Sequence, residues 1–201
     1  SKKKKTPNFN LYKSSLAWAI TLVFSIGALT MYALIAWLPT ILVATAGKTT
    51  AVAGVMLSVY NLTGLPHSII LPTLMNKVKR PYYFVLLGSI LAIIGILGLG
   101  YLPQYSWGWI FPLGVSALLV PAGLTLVNLK SKTEAGVTAL SGFVQSVGYI
   151  IAALGPFYVG HLHSTYHNWL PTCWFICAMA IVSALAGIVA TRPKYIEDNL
   201  K

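Results

Sequence analysis

The sequence predicts an all-α membrane protein with six transmembrane helices, and three observations carry that prediction. Hydrophobic residues make up 57% of the 201-residue chain and charged residues 8%, with a mean hydropathy of +0.75, outside the range of ordinary soluble domains. The apolar residues gather into six runs, each close to or longer than the roughly 20 residues that a helix needs to cross a bilayer core. The ten-residue alternating strands of a membrane barrel do not appear, whereas helices satisfy their own backbone hydrogen bonds in lipid.

The first run, Leu16 to Thr45, follows a lysine-rich segment. Lys2 to Lys5 ahead of an apolar stretch resemble the charged region of a signal peptide, but a run of about 30 residues without a small-residue cleavage site stays in the membrane. The others are Thr50 to Leu74, Tyr82 to Leu102, Gly108 to Leu129, Ala135 to Leu162 and Asn168 to Thr191. The intervening AGKTT, NKVKRP, LPQYSWG, LKSKTEAG and HLHSTYHN read as loops. Residues 1–15 are expected to be a basic cytoplasmic linker, 16–191 the six-helix bundle and 192–201 a cytoplasmic tail.

Charge sets the orientation. With alternating loops, the side of the amino terminus receives Lys2 to Lys5, Lys13, Lys77, Lys79, Arg80, Lys130, Lys132, Arg192, Lys194 and Lys201, which is 13 of the 14 basic residues; Lys48 lies opposite. The positive-inside rule then places both termini in the cytoplasm of a multi-pass protein of the cytoplasmic membrane. The net charge of +11 is explained by this topology and implies no nucleic-acid partner. The lysine run reads as a stop signal or linker, with contact to anionic headgroups as the alternative.

Catalytic and metal chemistry find little to work with. Asn61-Leu62-Thr63 matches a glycosylation pattern but sits mid-span. Cys173 and Cys177, four apart on one helical face, read as packing residues. His161, His163 and His167 have no carboxylate or thiolate beside them to complete a metal site. His67, mid-span, is expected to bond a neighbouring helix, with a substrate contact as the alternative. The acids Glu134, Glu197 and Asp198 all fall outside the spans. No Ser/His/Asp grouping, zinc-binding helix or phosphate loop appears, so no enzyme, cofactor or metal is expected.

Polarity within the spans is uneven. Thr21, Ser25, Ala28, Tyr32 and Ala36 recur at helical spacing on span one, with Trp37 and Pro39 just beyond. Gly54, Ser58, Asn61, Leu65, Ser68 and Pro72 do so on span two; Gly114, Leu118, Pro121, Thr125 and Asn128 on span four; Ser141, Gln145, Tyr149, Ala152 and Pro156 on span five. Spans three and six carry little beyond Ser89, Ser183 and the cysteines. This partition predicts four helices that face something wet and two that do not. Serines and threonines are expected to mediate packing, where an interhelical hydrogen bond is worth about 0.6–2 kcal/mol. For Asn61, Gln145 and Tyr149, cavity lining and packing both stand. Tyr32, Trp37, Asn61, Asn128, Gln145 and Tyr149 are the candidate substrate-pathway residues, and Pro39, Pro66, Pro121, Gly155 and Pro156 the candidate kinks.

The succession ALIAWLPTILVATAG, AGVMLSVYNLTGLPHSIILPTLMNKVKR and ALSGFVQSVGYIIAALGPFYVGHL, followed by Asn168-Trp169, resembles the second half of a major facilitator superfamily transporter, and within it the cyanate and nitroimidazole permease branch. The resemblance runs over essentially the whole chain. It implies two six-helix halves that rock around a midplane site, with the first, second, fourth and fifth spans facing the cavity or the other half and the remaining two at the periphery. NKVKR takes the place of a basic cytoplasmic loop typical of the superfamily but lacks its usual Asp and Gly, so the gating charge network of that loop is not implied.

The resemblance also implies a missing amino-terminal six-span half, the chain being a fragment or one piece of a split gene, with a homodimer as the alternative. The function expected is secondary active transport of a small polar or anionic solute, cyanate-like or related, by alternating access. A six-span structural or assembly subunit without transport activity of its own is the alternative. A pore is disfavoured, because no ring of charged residues or repeated carbonyls is evident.

Overall fold

The computed structural model describes residues 9–199; Lys2 to Lys5 and Lys201 lie outside the described residues. Seven α-helices make six spans: α1 (Ser15–Ala46), α2 (Thr50–Lys77), α3 (Tyr82–Tyr101), α4 (Ser106–Ser116), α5 (Leu119–Leu129), α6 (Glu134–Tyr166) and α7 (Leu170–Ala190). The fourth span, Pro103–Leu129, contains both α4 and α5. No strand occurs among the described residues.

Local chemistry sets the helix ends. Ser14, Thr49 and Thr133 are N-caps whose side chains accept from the N–H groups of Ala17, Val52 and Gly136, satisfying donors that the first turn leaves free. Gly47 ends α1 with φ +61°, a left-handed conformation that glycine adopts without the strain of a Cβ. The α3 and α7 helices, 20 and 21 residues long, span about 30 Å at 1.5 Å per residue.

The fourth span departs from the single helix expected over Gly108 to Leu129. It breaks at Ala117-Leu118, four residues before Pro121. Proline has no N–H for the Ala117 carbonyl; Val120 N–H donates to it instead at 3.1 Å. Pro39, Pro66, Pro72 and Pro156 lie inside helices that continue through them.

The α1 helix is the central column and packs on α2, α5, α6 and α7. Toward its amino-terminal end, Ile20 and Phe24 join a cluster with Leu119, Leu126, Leu140 and Val144. Toward its other end, Leu34, Leu38 and Leu42 join Met56, Tyr60, Leu99, Ile110 and Ile176.

Candidate functional site

Apolarity and burial rise together across the outer helices, the reverse of what exposure to lipid alone would give. The most apolar stretch of α2 has a mean hydropathy of 1.2 with 17% of it buried, and that of α6 has 1.6 with 28%. The corresponding stretches of α3 and α7 both reach 2.3, with 39% and 44% buried. Lipid favours apolar side chains and penalises polar ones, so a surface left to lipid should be the more apolar one. The α3 and α7 helices obey, turning Leu87, Ile90, Ile94, Ile181, Leu185 and Ile188 outward. The α2 and α6 helices are the most exposed and the least apolar.

On α2, Asn61 is exposed at a cleft of about 280 Å³ between α1, α2 and the break in the fourth span. Met31, Tyr60, Gly64, Leu65, Ser68, Ala117, Val120 and Pro121 complete its lining. Tyr60 had a legible signal that the sequence reading passed over, a mid-span phenol beside Asn61. Pro66 lies on a different groove, with His67, Phe111 and Val115. There the Nδ1 of His67 is buried with no hydrogen-bond partner, so the expected bond to a neighbouring helix is not made.

The α1–α6 seam is close. A Cβ added at Gly148 would meet Phe24 Cδ1 at 2.6 Å, at Gly155 the Leu29 carbonyl oxygen at 2.8 Å, and at Gly160 Trp37 Cζ2 at 2.8 Å. Thr21 and Ser25 are fully buried and donate to Ala17 and Leu22 carbonyls of their own helix. Tyr32 is half-buried against Ala28, Leu29 and Ala152. Trp37 bridges the seam, donating from Nε1 to the Pro156 carbonyl at 2.9 Å. It also lies against Trp169, on which His163 stacks at 3.9 Å.

Gln145 and Tyr149 lie beyond that seam. Gln145 donates from Nε2 to Ser141 Oγ at 2.7 Å, one turn back on the same helix. Tyr149 sets its ring edge-on to Phe24 at 5.1 Å and remains 43% exposed. Asn61 and Gln145 thus stand on helices that flank α1 from different contacts.

Asn128 is placed elsewhere. It lines a cleft of about 590 Å³ at the α5–α6 loop with Ser131, Lys132, Thr133, Glu134, Val137 and Thr138. Beside it the chain after α7 folds back on the α5–α6 loop. Glu197 Oε1 accepts from Lys132 N–H at 2.9 Å, Thr133 N–H at 3.1 Å and the Thr133 hydroxyl at 3.0 Å. Lys132 pairs with Asp198 at 2.6 Å. Partial burial pushes the Glu197 pKa up, but the N–H groups of Glu197, Lys132 and Thr133 with the Thr133 hydroxyl outweigh it, and the net direction is down. The bond from Lys132 holds Asp198 below its ordinary value. Nothing in the sequence marked these long-range pairs.

The remaining candidates are structural. Cys173 and Cys177 are buried free thiols, and a Cβ at Gly100 would strike Cys173 Sγ at 2.8 Å. No group of three His, Cys, Asp or Glu suited to a metal occurs among the described residues.

Comparison with known proteins places the chain among transporters. It is 31% identical to the 2-nitroimidazole transporter of Escherichia coli K12 over 92% of this chain and 47% of that protein. It is 34% identical to a putative anionic 4-hydroxy-benzoate permease of Thauera aromatica over 55% of this chain and 68% of that protein. The chain belongs to the major facilitator superfamily of transporters. The cyanate transport protein CynX of Escherichia coli K12 is 27% identical over 84% of the chain and 44% of its own length, within the same permease branch. The chain spans about half the length of curated relatives that match it nearly end to end. No family model matches. The chain is therefore a multi-pass membrane protein of a permease family.

Proposed function

We propose that this chain forms one six-span half, the carboxyl-terminal one, of a secondary transporter that moves a small polar or anionic solute across the cytoplasmic membrane by alternating access, with both termini in the cytoplasm. The observation that carries the reading is the inversion described above: α2 and α6, the least apolar spans, are the most exposed. Such faces suit a second six-helix bundle and a water-filled path between the two better than they suit lipid. The permeases to which the chain is similar support a small polar or anionic solute.

In this reading Asn61 on α2 and Gln145 and Tyr149 on α6 offer amide and phenol groups to the path. Gln145 is bonded only within its own helix, which favours lining over packing, since a packing glutamine holds a neighbouring helix. Tyr32 and Asn128 belong to the same path nearer its walls and its cytoplasmic mouth. Trp37 holds α1 to α6 at Pro156, and Pro39, Pro66, Pro121, Gly155 and Pro156 are the points at which the helices bend.

The test is uptake. This chain expressed alone is expected to insert without saturable transport, and co-expression with an amino-terminal half is expected to restore it. Saturable, concentrative uptake by the purified chain alone would replace this reading with a homodimer. Restored assembly without any uptake would favour a structural subunit. For topology, cysteines replacing Val78, in the α2–α3 turn, and Gln104, in the short 3-10 turn between α3 and α4, both exposed, should react only from the cytoplasm and only from outside, respectively.

A further inference from the structure

We propose that the groove between the α2–α3 turn and the end of α7 binds the headgroup of an anionic phospholipid from the adjacent leaflet. The groove, about 230 Å³, is lined by Lys79, Arg80, Pro81, Tyr82, Ile188 and Thr191. Lys77, Lys79 and Arg80 place three exposed cations within four residues, and among the described residues no carboxylate pairs with them. The chain has three acids in all: Glu197 and Asp198 are held by the α5–α6 loop, and Glu134 begins α6. The one ion pair among the described residues is Lys132–Asp198. Phosphate groups of the membrane are the counter-ions within reach, and basic pockets between transmembrane helices at the membrane rim suit acidic headgroups.

The ground below the cations fits a lipid rather than a free anion. Ile188 continues into the exposed Leu185 and Ile181 of α7, and Leu87 and Ile90 of α3 are exposed as well. An acyl chain lies along this apolar wall while the phosphate meets Lys79 and Arg80. Tyr82 and the exposed Tyr83 stand at the level where aromatic side chains favour the interface. A positive end of a loop placed only for topology would need the charges but not the groove or the wall. The proposal rests on the membrane placement of the chain and not on its transport, so the two fail separately.

The test is lipid retention by the purified chain in detergent, read by native mass spectrometry with phosphatidylglycerol and phosphatidylcholine of identical acyl chains. Phosphatidylglycerol should be retained in preference. The K79Q/R80Q double variant should lower that retention about tenfold or more, at about one basic contact's worth per residue. K13Q/K194Q, which removes two cations outside the groove, should not. Millimolar inorganic phosphate should fail to displace the lipid. Equal retention of the two lipids, equal loss in both double variants, or displacement by free phosphate would each overturn the proposal. Should K79Q/R80Q not fold, a photoactivatable phosphatidylglycerol on the unmutated chain decides: crosslinks at residues 79–82 and 188–191 support the site, and crosslinks confined elsewhere refute it.

Discussion

α1 and α2 are consecutive spans of 32 and 28 residues, yet α1 keeps 72% of its most apolar stretch buried and α2 only 17%. Hydropathy alone would have sent the less apolar helix inward, where polar groups find partners. The bundle does the reverse. α1 is enclosed by four neighbours and packs closely against glycine notches on α5 and α6, whereas α2 turns Asn61, Ser58 and Ser68 outward. The difference teaches that a membrane helix is placed by what its two sides must touch. The enclosed seam is closely packed, and the proposed function assigns the open polar face to a partner or to water.

The sharpest way to separate the two regions is one substitution made twice. At Gly155 a new Cβ meets Leu29 Cγ and the Leu29 carbonyl at 2.8 Å, backbone included, whereas at Gly54 on α2 it meets nothing within 4 Å. Gly155→Ala should therefore lower thermal stability by about 1–3 kcal/mol through overpacking. Gly54→Ala should leave it unchanged or raise it by up to about 1 kcal/mol through helix propensity. Equal effects in a melting series would show that the seam is no tighter than the open face.

Gln145→Leu, in a transporter completed by its amino-terminal half, probes the open face. The structure gives Gln145 no interhelical bond to lose, so abundance and melting temperature should hold. Substrate affinity should fall roughly five- to a hundred-fold, as an unpaired polar group costs about 1–3 kcal/mol. Binding at the parental level per folded molecule would remove Gln145 from the path. Trp37→Phe is the smaller, opposite case. It deletes the bond to the Pro156 carbonyl and should cost about 1 kcal/mol of stability; an unchanged melting temperature would show that this bond does not hold the seam.

The tail contact should respond to acid. Glu197 and Asp198 both have depressed pKa values. Their contribution is therefore present above the unfolded carboxylate values and is lost as pH falls through the folded ones, below about pH 4. Hydrogen exchange at residues 195–198 should accelerate there, and Glu197→Gln should accelerate it at neutral pH. Exchange independent of both would mean that the tail is held by its other contacts, those of Ile196 and Lys130.

The six spans were legible because length and apolarity are properties of the chain itself: Leu16 to Thr45 became Ser15–Ala46, and Ala135 to Leu162 became Glu134–Tyr166. The break in the fourth span was not, since apolar residues continue unbroken across Ala117-Leu118. Facing was harder still. Spacing put Thr21 and Ser25 on the same stripe as Tyr32, but the first two are fully buried and Tyr32 only half so. In a helix apolar all round, periodicity has too little contrast to tell a packed side from a wet one. Asn128 shared a residue type with Asn61 but belongs to a different cleft, at the α5–α6 loop instead of the break in the fourth span.

The central claim is that the open faces of α2 and α6 meet water and a second bundle instead of lipid. The most direct measurement is labelling by a small water-soluble thiol reagent of single cysteines at Asn61, Gln145 and Ile181, in a background lacking Cys173 and Cys177 and in the transporter formed with an amino-terminal half. Labelling is expected at Asn61 and Gln145, slowed by substrate, and not at Ile181. Labelling at Ile181 with Asn61 and Gln145 inert, or quenching of all three by a probe in the lipid tails, would contradict that claim.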